Sequence, residues 1–128
     1  MDSSLRLPAV PASVPAARRH VRAVCAAHRT DSEGPELAVS ELATNSVVHA
    51  GVPDFEVRVV VREELLWVEV LDGSPGMLPI SRMPGLFDEG GRGLTLAFAG
   101  ADAYRLEVGK GIKAVCAGFS LLAANRSD

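Results

Sequence analysis

Glu41-Leu42-Ala43-Thr44-Asn45-Ser46-Val47-Val48-His49 is the stretch whose reading decides this chain. Glu41, Asn45 and His49 recur every four residues, so on a helix they stack along one stripe. The spacing predicts that helix from about Pro35 to Ala50, with Gly51 and Pro53 as the stop signal. Two of the three stripe residues are poor helix formers set mid-helix, against local propensity. A carboxylate, a carboxamide and an imidazole on one stripe suit a polar site. A solvated helix face accounts for the same pattern, and His49 in the last turn also suits a helix-end cation or capping donor. The flanking sequence has to decide.

Upstream, residues 5–14 carry Leu5, Leu7, Val10 and Val14 among prolines, which fits an edge strand. Ser13 is placed to cap a first helix with Pro15 in its first turn. Val14, Ala17, Val21, Val24, Cys25 and His28 then form one buried face. Arg18, Arg22 and Arg29, with Arg19 beside them, form the opposite stripe, either a solvated face or a docking surface for an acidic partner. His20 and His28 read as surface or helix-end residues. Asp31 to Pro35 is a turn that starts the second helix, with Asp31 or Gly34 as the candidate cap.

Downstream, the period changes to two. Phe55, Val57, Val59 and Val61 alternate with charged residues, and Leu66, Val68 and Val70 alternate with Trp67 and Glu69. This predicts an antiparallel hairpin. Asp72 shares the parity of Leu66, Val68 and Val70, so it points to the covered face of the sheet. A carboxylate there is costly unless it meets a donor, although Asp72-Gly73-Ser74-Pro75-Gly76 also reads as a simple strand-end turn. Residues 77–90 lose all periodicity and read as a long functional or disordered loop. Gly90-Gly91-Arg92-Gly93 opens an apolar helical run, Leu94 to Ala101, a place where backbone N–H groups can meet an anion. Residues 103–108 and 112–120 close the chain as two strands around Gly109-Lys110-Gly111.

The 128 residues make one domain, residues 1–128, long enough to bury a core. No apolar run spans a membrane and no export signal opens the chain, so the expectation is a cytoplasmic protein that does not engage membrane. A formal net charge of -3 gives no general attraction to nucleic acid. Cys25 and Cys116 lie in apolar patterns and read as buried free thiols. There is no GxxxxGK loop. Gly91 and Gly93 lack the third glycine and the setting of a dinucleotide fingerprint, and no protein-kinase motif set or metal-ligand spacing appears.

What remains is an ordered set: a polar helix stripe, an inward-facing carboxylate at a strand end, a loop, and glycines at a helix start. This order resembles the GHKL (Bergerat-fold) ATP-binding superfamily, and within it the small actinobacterial anti-sigma-factor serine kinases. The stretch from Glu41 to Gly51 is similar to that family's N box, Asp72 to Gly76 to its G1 box, and Gly91-Arg92-Gly93-Leu94 to its G2 box. The resemblance runs from about Leu5 to Leu121. It implies an α/β (α+β) two-layer sandwich, with a mixed, mostly antiparallel sheet and three helices on one face. It implies ATP and Mg2+. By carry-over, Asn45 holds Mg2+, Glu41 acts on a substrate hydroxyl, and Asp72 reads the adenine amine. Gly91, Arg92, Gly93 and Leu94 line the phosphates; His49, Gly76 and Lys113 complete the nucleotide site; residues 77–90 form the ATP lid. Relatives sequester a sigma factor, phosphorylate a serine on a STAS-domain anti-anti-sigma partner, and often form homodimers. Their first helix helps contact partners, which points to Arg18, Arg19 and Arg22.

Two positions depart from the family pattern. Ser74 stands where the G1 box has a glycine, placing a Cβ where backbone passes adenine. On the last strand an expected Lys-Thr pair reads Lys113-Ala114. A lost hydroxyl beside the aspartate costs about 1 kcal/mol, or about five- to tenfold in ATP affinity. The sequence therefore supports a protein serine kinase and, as the alternative, a partner-binding module of the same fold with weak or no ATP turnover. A stand-alone ATPase, with Glu41 activating water, is a third reading.

Overall fold

A computed structural model describes residues 2–48, 51–73, 100–109 and 111–121. Seven elements follow in order: β1 (Asp2–Pro8), α1 (Ser13–Ala27), α2 (Glu33–Val48), β2 (Asp54–Arg62), β3 (Leu65–Asp72), β4 (Ala103–Gly109) and β5 (Ile112–Ser120). The five strands form one sheet in the order β1-β2-β3-β5-β4. Every pairing among the described residues is antiparallel. The expected mixed sheet is thus antiparallel where it is described. The α+β two-layer class holds, with α1 and α2 on one face. The predicted third helix, Leu94 to Ala101, lies almost wholly outside the described residues.

Alternation decides the two faces of the sheet. Phe55, Val57 and Val59 on β2, Leu66, Val68 and Val70 on β3, and Val115 on β5 face the helices. They pack against Ala17, Val21 and Cys25 of α1 and Val39, Leu42 and Ala43 of α2. Each fully buried aliphatic or aromatic side chain contributes about 1.5–3 kcal/mol of transfer free energy. The α2 stripe runs Pro35, Ala38, Val39, Leu42, Ala43, Ser46, which is helical spacing with a hydroxyl at its last position. Glu41 and Asn45 flank that stripe, each half-buried.

Local chemistry differs from the sequence reading at the helix ends. Ser13 does not cap α1: Ala12 is the cap residue and gives no side-chain bond. The Ser13 hydroxyl instead donates to the Pro8 carbonyl at 2.6 Å, tying α1 to the end of β1. The α1 C-terminus closes with the Arg29 N–H on the Ala26 carbonyl and the Thr30 N–H on the Cys25 carbonyl. Arg29 adopts φ 55° to make this turn. Neither Asp31 nor Gly34 caps α2. Ser32 precedes the helix, accepts the Glu36 N–H on its carbonyl at 2.8 Å and donates its hydroxyl to the Glu36 carboxylate. His20 is not a bare surface group, since Nε2 lies 3.1 Å from the Ser3 hydroxyl on β1.

The helix-free face is covered by its own long side chains. Trp67, Val60, Ala114 and Cys116 form a second apolar cluster there. The Arg105 guanidinium lies 4.5 Å from the Trp67 ring centroid. Glu69, 4% exposed, accepts from Arg58 Nε at 2.8 Å and Arg105 Nη2 at 3.0 Å. Arg105 Nε also lies 2.7 Å from Glu107 Oε2, a charge contact whose angle is too poor for a hydrogen bond. Trp67 and Glu69 point away from the helices, yet both are buried because neighbouring stems lie over them. Among the described residues no helix is long and apolar enough to cross a membrane.

Candidate functional site

The site is built where the end of β3 passes beneath the last turns of α2. Parity carries Asp72 to the helix side, as the sequence predicts, and the residue is 5% exposed. Two donors meet it. The Ser46 hydroxyl donates to Asp72 Oδ2 at 2.8 Å, within a buried contact. Lys113 Nζ lies 3.4 Å from the same oxygen. Register explains the second donor: β3 and β5 run antiparallel with Asp72 directly opposite Lys113, so both side chains project to one face. Lys113 is 4% exposed, so a whole charged pair is enclosed beneath α2.

Leu42, Asn45, Ser46, Val70, Asp72, Lys113 and Val115 surround a cavity of about 10 Å³. Asn45 and Asp72 therefore border the same space, as the resemblance requires. Glu41, one turn earlier, is half-buried on the same helix and is not among the residues lining it. Residues Gly76, Gly91, Arg92, Gly93 and Leu94, the lid 77–90 and His49 lie outside the described residues. A larger open hollow of about 490 Å³, lined by Leu71, Glu107, Val108, Gly109, Ile112 and Ala114, sits at the β4–β5 end away from the carboxylate. No group of His, Cys, Asp and Glu suited to a metal occurs among the described residues.

The structure corrects the weight given to Ala114. Its side chain packs with Val60, Trp67 and Cys116 on the helix-free face. A threonine there would not reach Asp72. The β5 residue that confronts the carboxylate is Lys113. Ser46 was missed by the sequence reading, although the signal was present: it is a hydroxyl at the next turn of the apolar stripe Val39, Leu42, Ala43. The basic stripe of α1 has partners on α2. The Arg18 guanidinium reaches the Ser40 hydroxyl at 3.3 Å. Arg22 pairs with Glu36 through two bonds of 3.1 and 2.8 Å. Both side chains thus span the α1–α2 groove, while Arg19 points to solvent.

An antiparallel sheet with helices on one face and a buried carboxylate at a strand end beneath the second helix fits the GHKL class that the sequence motifs resemble. The chain belongs to the histidine kinase-like ATPase domain family, whose profile matches residues 7–118. Membership implies ATP as the ligand. The fold is similar to the crystal structure of the RsbU and RsbW domains of Rv1364c from Mycobacterium tuberculosis, with a TM-score of 0.69 at 19% identity. That match covers 94% of this chain and 32% of the other, so this chain spans about a third of its length. No curated protein matches this chain by sequence.

The donor set suits a purine. A buried carboxylate accepts from an exocyclic amine, and hydroxyl and carboxamide groups stand beside it. Among the described residues, the space directly between Asn45, Asp72 and Lys113 is about 10 Å³, room for about one water.

Proposed function

We propose that this protein is an ATP-binding regulator that phosphorylates a serine on a STAS-domain anti-anti-sigma partner and sequesters a sigma factor. The observation that carries the reading is Asp72. It is held buried at the end of β3 by Ser46 and borders one cavity with Asn45, in a chain of the histidine kinase-like ATPase family. In this reading the Asp72 carboxylate accepts from the adenine amine. The Asn45 carboxamide oxygen faces Mg2+, whose other ligands come from phosphates and water. Bound ATP supplies the phosphoryl group. Glu41 orients or deprotonates the serine hydroxyl. His49, Gly76 and the run from Gly91 to Leu94 complete the nucleotide site, with residues 77–90 as its lid. Arg18, Arg19 and Arg22 form the partner-facing surface, and the regulator works in the cytoplasm with a homodimer as its expected form.

Incubation with Mg-ATP and candidate STAS-domain proteins tests this. The expected product is phosphoserine on the partner, lost with Glu41→Ala. Phosphoserine formation that Glu41→Ala leaves unchanged removes Glu41 from the chemistry, and none with any partner removes the kinase. The second reading is a docking module with weak or no turnover. Lys113 paired with Asp72, the carboxylate that would read a base, is the observation that favours it. Calorimetry separates the two: micromolar ATP affinity supports the kinase, millimolar or absent affinity the module.

A further inference from the structure

Resting on the ATP-binding reading above, we propose that Lys113 is a built-in plug of the base pocket: it occupies the carboxylate that a purine amine would use, and nucleotide enters only as Lys113 swings out. Three observations converge. The register sets Lys113 opposite Asp72. The ammonium sits 3.4 Å from Asp72 Oδ2, the oxygen that also accepts from Ser46. The Lys113 side chain forms part of the wall of a cavity of about 10 Å³, and that cavity also borders Asn45. Among the described residues, the purine-reading carboxylate is thus already engaged by a side chain of the chain itself.

Displacement has an available path. Lys113 lies one residue from the start of β5, beside the half-exposed Val108 and Ile112. A four-carbon stem at a strand end can lie along such a surface and release its ammonium to water. Base binding then exchanges an internal ion pair for an amine–carboxylate hydrogen bond. The exchange costs the desolvated pair and regains the hydration of the ammonium. Apparent affinity falls by the fraction of molecules with the plug withdrawn. Lys113 in this role is a positioning residue that sets nucleotide affinity through Asp72.

The test uses the full chain. Calorimetry compares ATP binding to the wild type and to Lys113→Thr, which keeps a hydroxyl donor for Asp72. Acetylation of Lys113 in the wild type, read by mass spectrometry with and without millimolar Mg-ATP, follows the side chain directly. A plug predicts at least tenfold tighter ATP binding by Lys113→Thr and several-fold faster acetylation of Lys113 when ATP is present. A merely structural lysine would show no ATP-dependent acetylation. Equal or weaker binding by a folded Lys113→Thr, or protection of Lys113 by ATP, overturns the plug and leaves the ATP reading intact. No ATP binding by either folded protein overturns both. Should Lys113→Thr fail to fold, the wild-type acetylation decides.

Discussion

Replacing Asp72 by Asn is the natural way to test a nucleotide pocket of this kind, and here it will also destabilise the fold. Asp72 and Lys113 are 5% and 4% exposed, and their charged groups lie 3.4 Å apart. The substitution Asp72→Asn would keep an oxygen for the Ser46 hydroxyl but remove the charge that balances the ammonium. Breaking one partner of a buried pair costs about 3–5 kcal/mol, a large share of the roughly 5–15 kcal/mol that stabilises a domain. With a urea slope of about 2 kcal/mol per molar, the midpoint should fall by about 2 M. Urea unfolding followed by the fluorescence of Trp67, the only tryptophan, measures it. The double variant Asp72→Asn/Lys113→Met should recover at least half of the loss, because the buried ammonium that lost Asp72 is removed with it. A single variant that loses less than about 1 kcal/mol, with no recovery in the double, would show that water already satisfies the pair. Loss of ATP binding by Asp72→Asn is therefore informative only alongside its unfolding curve.

Other expectations follow from single features. Glu63 and Glu64 turn the β2–β3 hairpin with φ 52° and 66°, the two-residue geometry that favours Asn-Gly; Glu63→Asn/Glu64→Gly should gain about 1–2 kcal/mol, seen as a raised urea midpoint. Glu36 is held below its ordinary range by the Arg22 hydrogen bond first and the Ser32 hydroxyl second. Its contribution is therefore present above the unfolded-state pKa and lost as pH falls through the lower folded value. The stability advantage of wild type over Glu36→Gln at pH 7 should accordingly shrink by pH 3 in parallel unfolding curves. Burial pushes the Cys25 thiol up to about 11 and the Cys116 thiol up to about 12, so neither should react with a thiol reagent at pH 8 until urea unfolds the chain. Glu69→Gln removes a charge-assisted acceptor shared by two arginines; a loss of about 2 kcal/mol and altered Trp67 emission are expected in the same fluorescence titration.

Local pattern by itself determined a great deal here. Period two placed Phe55, Val57, Leu66 and Val68 on one face and turned Asp72 inward, because alternation is a property of each strand alone. Spacing of three and four gave the buried face of α1 around Ala17, Val21 and Cys25. The ordered motifs carried the family. Only the tertiary structure decided what meets what. Lys113 rather than the residue after it confronts Asp72, since pairing register is set by contacts between distant segments. Ser46 became a ligand of that carboxylate only when α2 settled over β3. Arg18 and Arg22 gained partners because α2 brought Ser40 and Glu36 to them. Periodicity states which way a side chain points; the partner waiting there comes from elsewhere in the chain, and only packing brings it.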